Sequence, residues 1–165
     1  MTDLFDYVDK NDQIIGQTTY DDARSLGRII RVVHNWIIND QGKILFQFRA
    51  AHKKSMPRRF DASAGGKVDA GESYDSAVTR ETKEELGIET NPIYLDKIYI
   101  DQPEEYKFVS IFYTRHNGPF TGWEAEAEHL EWMSVGEYRD LNARFPYLFC
   151  GSLPLNVLIN KLGLE

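Results

Sequence analysis

Gly66-Lys67-Val68-Asp69-Ala70-Gly71-Glu72, the run Ser73 to Thr79, and then Arg80-Glu81-Thr82-Lys83-Glu84-Glu85-Leu86-Gly87-Ile88 form the stretch that decides how this chain is read. Ser73 is suited to cap a helix, no proline interrupts the run from there to Leu86, and Gly87 stands where a left-handed C′ residue belongs. The pattern predicts a helix over 73–86. Glu81, Glu84 and Glu85 are spaced i, i+3, i+4, so on a helix their carboxylates leave one face and converge within reach of one centre. Three like charges so placed repel, and a hard divalent cation removes the conflict, because Mg²⁺ or Mn²⁺ prefers oxygen ligands. The glycines ahead of the helix let backbone come close to a cation or phosphate. Arg80 is positioned to pair with Glu84 or with Glu72. Taken alone, a Glu-x-x-Glu-Glu run is more often a solvated helix face.

Outward from this helix the chain reads as a mixed α/β domain. Towards the N-terminus, Leu4, Tyr7 and Val8, a break at 9–12, and then Ile14 and Ile15 predict a small hairpin edging a larger sheet. A short helix over 21–26 closes at Gly27. The apolar run 29–38 suits a strand buried on both faces, and the turn 39–42 returns it into a hairpin partner with Ile44, Phe46 and Phe48 alternating. Residues 49–60 form a loop rich in cations. Beyond the helix, strands are predicted over 93–100 and 106–113 about a turn at 101–105, with another at 129–133. Ser134 caps a helix through Leu141, and Leu155, Leu158, Ile159 and Leu162 recur at helical spacing.

Composition narrows the function classes. The chain has 165 residues, close to one domain's worth, since domains usually hold roughly 100–200 residues. With 19 basic and 26 acidic side chains its net charge is −7, which argues against an electrostatically driven nucleic-acid binder. The single cysteine, Cys150, excludes an intrachain disulfide and a cysteine-rich zinc site, and points to a reducing compartment such as the cytoplasm. The acidic start has no signal-peptide character, and no apolar run nears the roughly 20 residues that span a bilayer.

Written as Gly66, five residues, Glu72, seven residues, Arg80-Glu81, two residues, Glu84-Glu85, one residue, Gly87 and Ile88, the stretch resembles the Nudix box, the signature of the Nudix hydrolase superfamily. Thr82 is the one departure, where the pattern prefers an aliphatic residue, and it is expected to perturb helix packing rather than metal binding. The resemblance implies a single domain over 1–165 with the α/β/α sandwich fold, its sheet mixed, its box at 66–88 and residues 1–27 an N-terminal hairpin extension. It also implies Mg²⁺-dependent hydrolysis, with Mn²⁺ the alternative, of a small-molecule nucleoside diphosphate linked to a group X, by water attack on phosphorus. Carried over by position, Glu81, Glu84, Glu85 and the Gly66 carbonyl are the metal ligands, while Glu72 and Arg80 hold loop to helix. The catalytic candidates are Glu81, Glu85 and Glu126, with the general base left open between Glu81 and a downstream carboxylate; Glu124 and Glu128 rival Glu126. Many relatives dimerise, so a homodimer is allowed, but no sequence feature fixes an interface.

The N-terminal hairpin, Trp36 and Gly71-Glu72-Ser73 look like the subgroup similar to isopentenyl diphosphate isomerase. The isomerase uses a cysteine and a histidine-rich metal site before the box; here Gly65 and Lys67 stand at those places, and Cys150, far along the chain, reads as core. The hydrolase therefore leads, with isomerase chemistry and a non-catalytic nucleotide-binding Nudix module as alternatives. Arg49, Lys53, Lys54, Arg58 and Arg59, with Lys67, form a candidate clamp for diphosphate oxygens not covered by cations, against the plain reading of a solvated loop. Pro103 and Tyr106 match substrate markers of two different branches and decide nothing. Tyr99, Tyr106, Phe108 and Trp123 are weighed as base-stacking rings against core, and the four histidines have no metal-like spacing.

Overall fold

The computed structural model describes residues 3–103 and 105–165. The chain begins with strands β1 (Phe5–Val8) and β2 (Ile14–Thr18), the predicted hairpin, then helix α1 (Tyr20–Leu26). Thr19 caps α1, accepting from the Asp22 amide, and Gly27 ends it at φ 62°. Strands β3 (Ile29–Ile38), β4 (Ile44–Arg49), β5 (Phe60–Asp61) and β6 (Ala64–Lys67) precede helix α2 (Tyr74–Leu86). After α2 come β7 (Ile93–Gln102), β8 (Glu105–Arg115), β9 (Ala127–Met133), α3 (Val135–Arg144) and α4 (Leu153–Leu162). The predicted turn at 101–105 includes Glu104, which lies outside the described residues, as do Met1 and Thr2 in the acidic start; the flanking strands run to Gln102 and from Glu105.

β3 is the organising strand. Along one side it pairs in parallel with β8 from Ile30↔Lys107 to Ile38↔Arg115. Along the other it meets β1 at its start, β6 from Val32↔Lys67 to Asn35↔Ala64, and β4 at Ile38↔Ile44 alone. The expected β3/β4 hairpin is thus a turn without a long ladder: β4 diverges and pairs with β9 from Ile44↔Met133 to Arg49↔Ala127. The sheet forks there, and residues 49–67 occupy the cleft between its branches.

The two faces of β3 serve different layers, as the alternation of side chains requires. Trp36 and Ile38 pack with Ile44, Phe46, Tyr138, Leu155 and Leu158, covering the sheet with α3 and α4. Val33 and Ile37 face Ala77, Val78 and Leu86 of α2. The result is the α/β/α sandwich with a mixed sheet. Asn35 lies on the α2 side, fully buried, donating through Nδ2 to Thr82 Oγ1 (2.9 Å) and Thr114 Oγ1 (3.1 Å), while Thr82 Oγ1 donates to the Val78 carbonyl (2.6 Å). Thr82 therefore does not disturb the helix. A polar residue in the aliphatic position is matched by a polar partner in the sheet, so its hydroxyl is satisfied.

The N-terminal hairpin is fastened to the 66–88 segment by two buried aspartates. Asp6 accepts from the Gly71 amide (2.7 Å), and Asp12 takes Arg31 Nε (2.7 Å), the Tyr74 hydroxyl (3.1 Å) and Lys97. These contacts fix α1 beside the cavity that the carboxylates of α2 line.

Candidate active site

Local geometry in the 66–88 segment agrees with the predicted helix signals. Ser73 accepts from the Ser76 amide (3.1 Å), and Gly87 has φ 66° with its amide on the Lys83 carbonyl. A Cβ at Gly87 would lie 2.0 Å from Thr121 Oγ1, so both conformation and space require glycine. Arg80 makes a two-pronged contact with Glu72, Nε to Oε1 (3.1 Å) and Nη2 to Oε2 (2.9 Å), and donates to the Lys67 carbonyl (3.2 Å). Burial alone would push the Glu72 carboxyl up, but the Arg80 hydrogen bonds hold it below the usual range. Arg80 and Glu72 thereby tie the glycine loop to the helix.

Gly65 and Gly66 let the helix carboxylates look through β6. A Cβ at Gly66 would meet Glu81 Oε1 at 2.1 Å, and one at Gly65 would meet the Val33 carbonyl at 2.5 Å. Glu85 Oε2 accepts from the Gly65 amide (3.0 Å) and from Gln47 Nε2 (2.8 Å). Burial, then the charges of Glu81 and Glu126, push the Glu85 carboxyl up to about 8 against those hydrogen bonds. Burial also raises Glu81, opposed by Arg80, whose Nη1 donates to Glu81 Oε1 at 2.8 Å.

All three helix carboxylates line a cavity of about 710 Å³, the size of a small-ligand site. They share a face without being gathered at a point. Glu81 is taken by Arg80, Glu85 by Gln47 and Gly65, and Glu84 is largely exposed, with Arg80 Nη1 at 3.4 Å. Among the described residues no three Asp, Glu, His or Cys side chains form a ready metal cage. Like charges at i, i+3, i+4 lower their repulsion by turning to nearby donors, Arg80 for Glu81 and Glu84 and Gln47 with Gly65 for Glu85, so convergence of the helix face does not by itself bring the oxygens together. The donor set still fits a hard divalent cation: it is all oxygen, burial and then neighbouring carboxylates raise two of its carboxyls, and Gly66 leaves its backbone close to the Glu81 oxygens.

Of the downstream carboxylates, Glu126 lines the cavity, ion-paired with Lys53, whereas Glu128 pairs with Arg58 at 3.2 Å and neither it nor Glu124 lines the cavity. The basic loop divides in the same way. Arg49 and Lys53 are at the cavity; Lys54, Arg58 and Arg59 are not part of its wall. Lys67 also lines it, its ammonium 4.1 Å from the centre of the Tyr20 ring. Of the weighed aromatics only Tyr106 borders the cavity; Phe108 is buried with Tyr99 against it at 5.1 Å.

Sequence reasoning missed several wall residues. His34 sits opposite Gly65 in the β3–β6 ladder, with burial pushing its imidazole down to about 4. Asp61 receives Arg49 Nη1 (2.9 Å). Cys150, read as core, is in the wall beside Asp61, and burial pushes its thiol well up. Tyr20, Arg28 and Lys107 come from α1, its following turn and β8. Two signals were present: Gln47 is a polar residue inside an apolar strand, and His34 shares strand parity with Val32 and Trp36.

The NUDIX domain family matches residues 28–148. The chain belongs to the Nudix family. Its Nudix relatives include the uncharacterized Nudix hydrolase all7351 of Nostoc, 30% identical over 82% of this chain and 88% of that protein. The uncharacterized Nudix hydrolase SCO1686 of Streptomyces coelicolor is 39% identical over 60% of this chain, a match spanning 56% of that protein. Among solved structures, DR0079 from Deinococcus radiodurans superposes with a TM-score of 0.76 at 27% identity, covering 93% of this chain and 96% of that one. With the box carboxylates intact, the protein is a Nudix hydrolase, of a family that generally requires a divalent metal. No helix among the described residues is long and apolar enough to cross a membrane.

Proposed function

We propose that the protein is a Mg²⁺-dependent pyrophosphohydrolase, with Mn²⁺ the alternative ion, that cleaves the diphosphate linkage of a nucleoside diphosphate–X compound in the cytoplasm. The observation that carries this reading is the cavity that joins the Nudix carboxylates Glu81, Glu84 and Glu85 to Glu126 and to the cations Arg49 and Lys53. Glu81, Glu84, Glu85 and the Gly66 carbonyl would hold the cation. A bound divalent cation supplies neutralisation of phosphate oxygens and lowers the pKa of water. Arg49 and Lys53 orient the diphosphate through charge-assisted hydrogen bonds. Glu126, which lines the same cavity and whose charge acts on Glu85, accepts the proton of the attacking water on its carboxylate. Arg80 and Glu72 keep the glycine loop in register with α2.

The N-terminal hairpin and Trp36 support membership of the subgroup that resembles isopentenyl diphosphate isomerase, but the chemistry at hand favours the hydrolase. Gly65 has no thiol, and Cys150, though in the wall, is held protonated by burial beside Asp61. Substitution Glu85→Gln keeps the Gln47 and Gly65 neighbours and is expected to reduce turnover by about 10²- to 10⁴-fold. The assay is phosphate or nucleotide release from a panel of diphosphate-linked nucleotides with Mg²⁺ supplied. Unchanged turnover in a pure preparation of that variant would rule the reading out.

A further inference from the structure

The cavity extends beyond the Nudix carboxylates, and its far end is walled by the cations Arg28 and Lys107 together with the Glu105 carboxylate. Ile30, Val32 and His34 all line it, so its floor is one face of β3. The ladder fixes what stands over each end: His34 is opposite Gly65, beside the carboxylates, and Ile30 is beside Lys107. Four residues of strand separate the two, a span of about 13 Å at about 3.3 Å per residue.

Around that far end stand Tyr20, Arg28, Tyr106 and Lys107, with Lys67 between the two halves. Arg28 is anchored, its Nη1 donating to Thr18 Oγ1 (2.9 Å) and its guanidinium carbon 4.6 Å from the centre of the Tyr7 ring. Lys107 Nζ lies 3.4 Å from a Glu105 carboxylate oxygen. The α1 wall is held to the sheet through the Asp6 and Asp12 contacts. Lys107 pairs with Ile30, four residues along β3 from His34, so its backbone stands toward the opposite end of the cavity from Glu81 and Glu85.

We propose that this end of the cavity is a second anion-binding subsite, built around Arg28 and Lys107, that selects substrates carrying a further phosphate or carboxylate remote from the scissile diphosphate. The inference rests on the pyrophosphohydrolase reading for the orientation of the substrate. Its chemistry is charge-assisted hydrogen bonding, the guanidinium presenting a planar fork and the ammonium a mobile point charge.

Two matched pairs of compounds test it: UDP-glucose with UDP-glucuronate, which differ by a carboxylate, and ADP-ribose with its 2′-phosphate, which differ by a phosphate. Calorimetric titration of the whole chain without divalent cation reads binding apart from turnover. The anionic member of at least one pair is expected to bind about ten-fold more tightly, as a charge-assisted contact provides. Which pair shows it distinguishes carboxylate from phosphate. Lys107→Gln should bring that ratio close to one and Lys107→Arg should restore it, a rescue that a purely structural lysine at this position would not produce. Equal affinities within both pairs, absence of binding by all four, or a ratio untouched by Lys107→Gln and Arg28→Gln would overturn the subsite. Turnover of the same compounds with Mg²⁺ is read separately: its absence throughout counts against the hydrolase reading and leaves the binding ratio to decide the subsite.

Discussion

Helix α2 and the loop between Arg49 and Phe60 are both dense in charge, yet they behave differently. On α2 the spacing of Glu81, Glu84 and Glu85 carries all three to one cavity, because helical geometry converts sequence intervals into a shared face. In the loop, five cations distribute by contacts that no interval encodes: Arg49 and Lys53 turn to the cavity, and Arg58 turns away to Glu128. Even on the helix the regularity extends to the face and stops short of the oxygen positions, which Arg80, Gln47 and Gly65 decide one by one. A charge pattern is therefore informative in proportion to the regularity of the backbone that bears it.

Substitutions can break that contrast or sharpen it. The largest effect is expected of Gly66→Ala, whose Cβ would stand 2.1 Å from Glu81 Oε1. Displacing that carboxylate by about 1 Å should lower turnover about 10²-fold, with about 1–3 kcal/mol of overpacking cost, seen in kinetics and thermal unfolding. If Gly66→Ala is fully active, the helix face is not what places Glu81.

His34 lies between the two regions, against Gly65 on one side and Asp61 and Arg49 on the other. Its imidazole titrates near 4 in the fold and near 6.5 when unfolded. Between those values the unfolded chain binds the proton and the folded chain does not, so its contribution to stability falls as the pH drops through that window, by about 3 kcal/mol in all. Glu85, pushed up to about 8, contributes with the opposite sign over much of the same window, so denaturant unfolding at stepped pH should show the His34 slope as the difference between the wild type and His34→Gln.

Within the loop the effects should separate. Lys53→Ala removes a cavity cation and is expected to raise KM about ten-fold. Arg58→Ala breaks a largely exposed pair with Glu128 and should change stability by no more than about 0.5 kcal/mol and turnover by less than about two-fold. Equal effects from the two would mean that the loop acts as a diffuse field rather than through placed side chains.

Much of the fold is legible where local signals are strong. Ser73 and Gly87 bracket α2, Gly27 closes α1, and β3 begins with the apolar run at Ile29. The short strands β5 and β6 are not legible, since two residues at Phe60 and a glycine pair at 65–66 have no strand character of their own; β3 and β4 impose it on them. β4 offers the same lesson, its alternation predicting a strand but not that β9 would be its main partner. The box half of the site is local and so readable. Its other half, Arg28, His34, Lys107 and Cys150, comes from distant parts of the chain, brought together by the parallel β3–β8 ladder and by the pairing of the 149–150 segment with Phe60.

That ladder also sets an order of events during synthesis. Asn35 has one hydrogen-bond partner 47 residues away, Thr82, and another 79 residues away, Thr114. A nascent chain that has emerged only as far as Ile88 carries every box residue and can close the first of these contacts, but it lacks the strand that flanks the cavity floor. Pairing across so long a separation is entropically slow. The helix of the box is thus complete in sequence well before it is complete in surroundings, and a chain truncated ahead of β8 would display the signature while leaving Val33 and Asn35 without their cover.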